Sequence, residues 1–249
     1  MMSKQESMAV ECVLMAGRIM IEAGADMTRV DDTLHRIAYN AEIKNPKIFE
    51  TTTAITMSVP QSHQAQVEPI KRRAINLEKV AQVNDASRAF AEGRVDLEAF
   101  WCRLLEIDQD QTDFKFGIKL LAAMLVSGTL LIMYGKAWQD FVPTLVVSGV
   151  SFSIYTAIRL NSKLHFVSEF CAAMAMAFLA SLFVRIGFGS NVDSIIIGAV
   201  MPLVPGVPIT NSFRDLLAGH ILSGLARGAE AFLTAGAIGL GIAMVLRFM

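Results

Sequence analysis

The sequence predicts an N-terminal α+β soluble domain over residues 1–116, followed by an all-α membrane domain over residues 117–249. The membrane domain holds about five transmembrane helices, one of them broken by proline and glycine. Three observations lead there. Of the 45 charged residues, 32 fall in the first 116 positions and 13 in the rest, which suits two solvents better than one globule. The first part mixes helical spacing with a β-branched stretch, whereas the second is a series of apolar runs. At 53% hydrophobic residues, the chain is more apolar than an ordinary soluble domain.

The elements follow in order. Residues 8–23, MAVECVLMAGRIMIEA, carry apolar residues at helical spacing with Glu11, Arg18 and Glu22 on the other side, and Gly24 suits the C-terminal cap. Asp26 opens a second helix, with Met27, Val30, Leu34 and Ile37 facing inward. Residues 47–59, KIFETTTAITMSV, read as strand, and a shorter strand fits around residues 64–70. Residues 76–106 read as two helices parted near Gly93. Membrane segments are expected at 117–135, 141–158, 166–187, 191–210 and 229–247, each near the ~20 residues a bilayer requires. The N-terminus lacks a signal-peptide core, so the first domain is expected in the cytoplasm. Lys115, Lys119, Arg159, Lys163, Arg214 and Arg227 then lie inside, against Lys136, Arg185 and Arg247 outside, with the C-terminus outside.

One stretch does not fit a plain anchor. PLVPGVPITNSFRDLLAGH, residues 202–220, interrupts an apolar run with Pro202, Pro205, Gly206 and Pro208, then adds Asn211, Arg214, Asp215 and His220. Irregular backbone at membrane depth is tolerated where it is packed in protein or lines a watery cavity, as in the broken helices of transporters. At about 100° per residue, a helix continuing through this region gathers Asp215, Gly219, Glu230, Ser223, Thr234, Arg227 and His220 within roughly 140°. Leu217, Ile221, Leu225 and Phe232 fall opposite. Two readings stay open: an interfacial amphipathic helix among headgroups, or a bundle-facing stripe along a solute path.

The order PLVPG, Asn211, Asp215, Gly219-His220 and GLAR at 224–227 resembles the threonine/serine exporter family of bacterial inner-membrane proteins. AGADMTRVDDTLHRIA at 23–38 and KVAQVNDASR at 79–88 extend the resemblance into the first part. The resemblance implies the larger subunit of the split form, in a hetero-oligomer with a short membrane partner of four or five spans. It also implies export of a small carboxylate or amino acid: threonine or serine, or a dicarboxylate such as succinate.

Within that frame Arg227 is expected to bind a solute carboxylate, since a guanidinium stays charged and binds bidentately. Arg214 is the second candidate, and Asn211 with the Pro205-Gly206 backbone would add hydrogen bonds. His220 and Asp215 are expected to couple proton movement, with Glu230 and Glu169 as further carboxylates. Arg29 and Arg88 read as structural ion-pair residues. Asp31, Asp32 and His35 read as a solvated helix face, and His63 as a loop histidine. Gly224 and Gly228 read as close helix packing. No cofactor or metal is expected, because Cys12, Cys102 and Cys171 match no zinc or redox spacing. A net charge of −1 gives no reason to expect nucleic acid, so membrane lipid is the expected surroundings. The rival classes are a membrane-anchored hydrolase, for which residues 1–116 offer no nucleophile–base constellation, and a signalling or scaffold protein acting through its cytoplasmic domain.

Overall fold

A computed structural model describes residues 4–60, 64–71, 74–110, 114–135, 138–161 and 166–249. His63, Lys136 and Lys163 lie outside the described residues. The chain is predominantly helical: α1 (Lys4–Glu22), α2 (Met27–Asn40), α3 (Leu77–Ala91), α4 (Leu97–Gln109), α5 (Phe116–Met133), α6 (Phe141–Asn161), α7 (Val167–Arg185), α8 (Val192–Ala199), α9 (Gly206–Leu217) and α10 (Ile221–Phe248). Strands β1 (Lys47–Glu50), β2 (Ala54–Val59) and β3 (Gln64–Pro69) form one small antiparallel sheet in that order.

The structure corrects the expected fold class. There is no separate N-terminal α+β soluble domain ahead of a membrane domain. The β-branched stretch yields only β1 and β2, which with β3 make a small sheet between helical hairpins, and the compact unit that contains them is not N-terminal alone. That unit joins Met1–Gln111 to Val207–Ala229, while a second comprises Thr112–Gly206 and Glu230–Met249. The physical reason lies in hydrogen bonding, since polar groups on α9 and the opening of α10 find their partners at the α1–α2 turn.

In the first unit α1 is the centre. It is buried on nearly every side, from Ala9 to Ile21, because α2, α3, α4 and the sheet all pack on it. Ile55, Met57 and Val59 alternate inward from β2, as a half-buried strand requires. Gly17 lets β2 close on α1, since a Cβ there would sit 2.5 Å from Ile55 Cδ1. Arg18, nearly the only polar residue on the middle of α1, pairs with Glu22, with Glu68 of β3 at 3.1 Å and with Asp108 of α4 at 3.0 Å. One guanidinium thus ties helix, strand and helix.

In the second unit α6, α7 and α8 enclose Val147, Met176, Ala177, Ala180 and Ile195. Small residues on α7 permit close approach, and Ser127 and Ser148 share a buried hydrogen bond of 2.7 Å between α5 and α6. Asp140, buried before α6, accepts from Ser190 N at 2.6 Å and Ser190 Oγ at 2.8 Å.

α5, the run from Trp138 through α6, α7 and α10 are each long and apolar enough to cross a membrane. The fifth candidate is not one helix. α8 continues through a 3₁₀ turn, Met201–Leu203, and the arm Val192–Leu203 is bent by 63° from α9 at the break between Leu203 and Gly206. Pro202 lies in that turn, Pro205 just before α9, and Pro208 in the first turn of α9. Proline's missing N–H is tolerated there, because first-turn N–H groups have no intrahelical acceptor. The prolines therefore set where α9 starts and remove none of its bonds.

Candidate functional site

The site begins with a helix end. Gly24, at φ +88°, terminates α1 in the left-handed region that glycine adopts without strain. Asp26 then caps α2, its Oδ1 accepting from Arg29 N at 3.1 Å. A turn between two helices leaves carbonyls from the first and N–H groups from the second without intrahelical partners. Gly24 C=O, Ala25 C=O and Met27 N–H are three such groups.

A second turn supplies the partners. Gly219, at φ +91°, ends α9, and α10 departs at Ile221 to form an elbow. The elbow is tight, since a Cβ on Gly224 would lie 2.6 Å from Leu216 Cγ and one on Gly228 would lie 2.8 Å from Ser212 Oγ. Ser212 Oγ also donates to Gly224 C=O at 2.8 Å. The expected single helix through Asp215 and Arg227 is thereby corrected: the stripe is split between two helices and folded onto the α1–α2 turn.

The contacts are specific. Asn211 Nδ2 donates to Gly24 C=O at 2.9 Å, and Arg227 Nη2 donates to Ala25 C=O at 2.6 Å. Asp215 Oδ1 accepts from Met27 N at 2.8 Å, while its Oδ2 lies 3.3 Å from Arg227 Nε. Asp215 is fully buried and Arg227 nearly so. Arg214 Nη1 donates to Asp26 Oδ2 at 3.0 Å, and Arg29 Nε stands 3.6 Å from the same oxygen. His220 Nδ1 lies 3.6 Å from Glu50 Oε1, an ion pair when the ring is protonated. Burial raises the Glu50 carboxyl above the usual range, and the charge of Asp31 adds to the rise against the opposing pull of His220.

Of the residues singled out from sequence, Asn211, Arg214, Asp215, His220 and Arg227 come together around the α1–α2 turn. Pro205 and Gly206 stand at the start of α9, and a Cβ on Gly206 would meet open space. Glu230 lies just past the first unit, on α10. Glu169 belongs to the second unit, where its Oε2 accepts from Ser168 Oγ at 2.7 Å. His35 pairs with Asp31 at 3.0 Å on a half-exposed face. The sequence reading named Asp26 only as the start of α2 and missed Glu50 and Asp140. Asp26 carries the only legible signal, as an N-cap aspartate. Among the described residues, no group of three or more His, Cys, Asp and Glu could hold a metal ion.

Chemically, this is a desolvated carboxylate–guanidinium pair inside a ring of backbone groups. Asp215 holds one edge of Arg227 and Ala25 C=O holds another.

The sequence matches the threonine/serine exporter family over residues 11–249. The chain belongs to that family. It is 25% identical to "Probable succinate transporter subunit YjjP" of Escherichia coli, over 99% of this chain and 96% of that protein. It is 23% identical to "Threonine/serine exporter" of Corynebacterium glutamicum, over 68% of this chain and 35% of that protein. A "Probable threonine/serine exporter" of Mycobacterium tuberculosis is 20% identical over 96% of this chain and 46% of its own length. The chain thus spans nearly all of the first relative and less than half of the other two. No solved structure matches. Family and apolar helices together make this a multi-pass membrane transport protein rather than an enzyme.

Proposed function

We propose that the chain is the larger subunit of a two-component secondary exporter in a bacterial inner membrane. It works with a short membrane partner of four or five spans on a small carboxylate or amino acid, with succinate, threonine and serine as the candidates. The observation that carries this reading is the buried Asp215–Arg227 pair at the α1–α2 turn. When a solute carboxylate takes the Arg227 guanidinium, Asp215 loses its cation and binds a proton; when the solute leaves, the pair re-forms and the proton is released. One solute thereby moves one proton on or off. The charged groups around Asp215 are Arg227, Asp26 and His220. His220, against Glu50, is the proposed proton donor to the elbow. The reading rests on these residues and not on Glu230 or Glu169.

Parity supports the topology. Residues 1–111 and 207–229 belong to one compact unit, so the chain leaves that unit and returns to it. α5, α6 and α7 give three crossings, and a return to the same side requires a fourth, which the bent α8–α9 pair can supply. α10 then carries the C-terminus across. Together with the Lys/Arg bias, this supports a proposed orientation with residues 1–116 on the cytoplasmic side and Met249 outside.

The test is initial efflux of succinate, threonine and serine from cells lacking both subunits, with this chain expressed alone and with the short partner. Export is expected only with both chains. Arg227→Lys should slow it by roughly ten- to hundredfold, the value of a lost charge-assisted hydrogen bond. Full export by this chain alone, or wild-type rates for Arg227→Lys at equal membrane levels, would refute the proposal.

A further inference from the structure

The Arg227 pair is closed, but a second pair of arginines beside it is open. Asp26 is buried, with 8% of its side chain exposed, while the Arg29 and Arg214 side chains that converge on it are 53% and 52% exposed. Both meet the same oxygen, Oδ2, at 3.6 and 3.0 Å, because Oδ1 is committed to the cap of α2. Neither guanidinium therefore forms the two-pronged contact that suits a carboxylate. Two cations share one anion, and each keeps an unused edge of N–H donors toward the open side. Of the other acids near this end of α2, Asp215 is held by Met27 N and Arg227, and Glu50 and Asp31 face His220 and His35.

We infer that Arg29 and Arg214 form an open carboxylate-binding pair, separate from Arg227, that receives a carboxylate of the solute. The inference rests on the exporter reading for its ligand class. Two guanidiniums against a single carboxylate have room for one more, and a second carboxylate would balance the local charge. α2 and α9 each contribute one arginine, so an anion held here also bridges the two helices that flank the Asp215–Arg227 pair. A dicarboxylate or an amino acid would be captured at this pair before its carboxylate exchanges with Asp215.

The experiment is calorimetric titration of succinate, threonine and serine into the purified full chain, held in phosphatidylcholine nanodiscs. Wild type is expected to bind at least one of them. Arg29→Gln and Arg214→Gln should each weaken binding about tenfold, and Arg29→Lys should recover part of the loss. Half-exposed ion pairs contribute little to folding, so Arg29→Gln should stay folded, with unchanged thermal unfolding as the control. Glutamine variants that bind as tightly as wild type would overturn the inference. Absence of binding by wild type would also overturn it, while cells that still export would leave the exporter reading standing. If Arg29→Gln alters affinity for phosphatidylglycerol discs and not for these solutes, the pair holds lipid phosphate and the inference falls.

Discussion

Asp215→Asn isolates the charge of the buried pair while keeping its shape. The amide oxygen can still accept from Met27 N, now 2.8 Å from Asp215 Oδ1, so the α2 cap survives. Arg227 loses its anion at 3.3 Å while remaining almost fully buried. Removing one partner of a buried ion pair costs about 3–5 kcal/mol, since the remaining charge stays desolvated. The retained cap bond and the Ala25 carbonyl on Arg227 favour the lower end, about 3 kcal/mol. For a chain of this size that is a fall of about 6–12 °C in unfolding temperature. Arg227→Met should cost a similar amount, because it strands Asp215 and deprives Ala25 C=O of its donor. The double variant should recover about 2–3 kcal/mol relative to the sum of the singles, since neither charge is then left alone. The assay exploits Cys12, which is fully buried in α1 and whose thiol burial pushes up to about 12. In a Cys102→Ser, Cys171→Ser background, a thiol-reactive fluorophore reports opening of the first unit alone. If Asp215→Asn unfolds within about 1 °C of wild type, or the double loss equals the sum of the singles, the pair is not the joint described.

Three further outcomes are expected. Gly224→Ala should loosen the elbow by about 1–3 kcal/mol, because its methyl would sit 3.0 Å from the Leu216 backbone nitrogen as well as against that side chain; an unchanged Cys12 exposure temperature would contradict this. Glu50 has its native pKa raised by burial and by Asp31, so the native state holds that proton more tightly than the unfolded chain. Stability from this group is therefore present at low pH and lost as pH rises from the ordinary glutamate range through the raised value. Glu50→Gln should flatten that decline in a pH series of unfolding temperatures, and an unaltered slope would refute it. Reporter fusions at Asp108 and after Met249 should report opposite faces of the membrane; the same face for both would remove the α8–α9 pair or α10 from the count of crossings.

Much of the helical layout was legible because apolar runs and caps are local signals. Asp26 announced α2, Gly24 the end of α1, and the apolar runs fell on α5, α6 and α7. The first error came from treating β-branched density at 47–59 as a domain signature, when it fills only β1 and β2. The second came from running one helical wheel across Gly219, whose positive φ turns the chain and divides the stripe. Neither the partners of Asn211 and Arg227 nor the role of Asp26 could be read locally. Spare carbonyls at one turn and spare donors at another carry no mark of their pairing, and here they lie 187 and 202 residues apart.

That separation has a consequence in time. The first compact unit needs residues 207–229, yet the ribosome delivers them only after the whole stretch that follows Gln111. At about 5–20 residues per second, this wait lasts roughly 5–20 s, far longer than helices need to form. Throughout it the nascent N-terminal half has to keep Gly24 C=O, Ala25 C=O and Met27 N–H wetted by water or shielded by a chaperone. The α9–α10 elbow is thus a late clasp. Its closure should mark the moment at which the waiting N-terminal half becomes resistant to proteolysis.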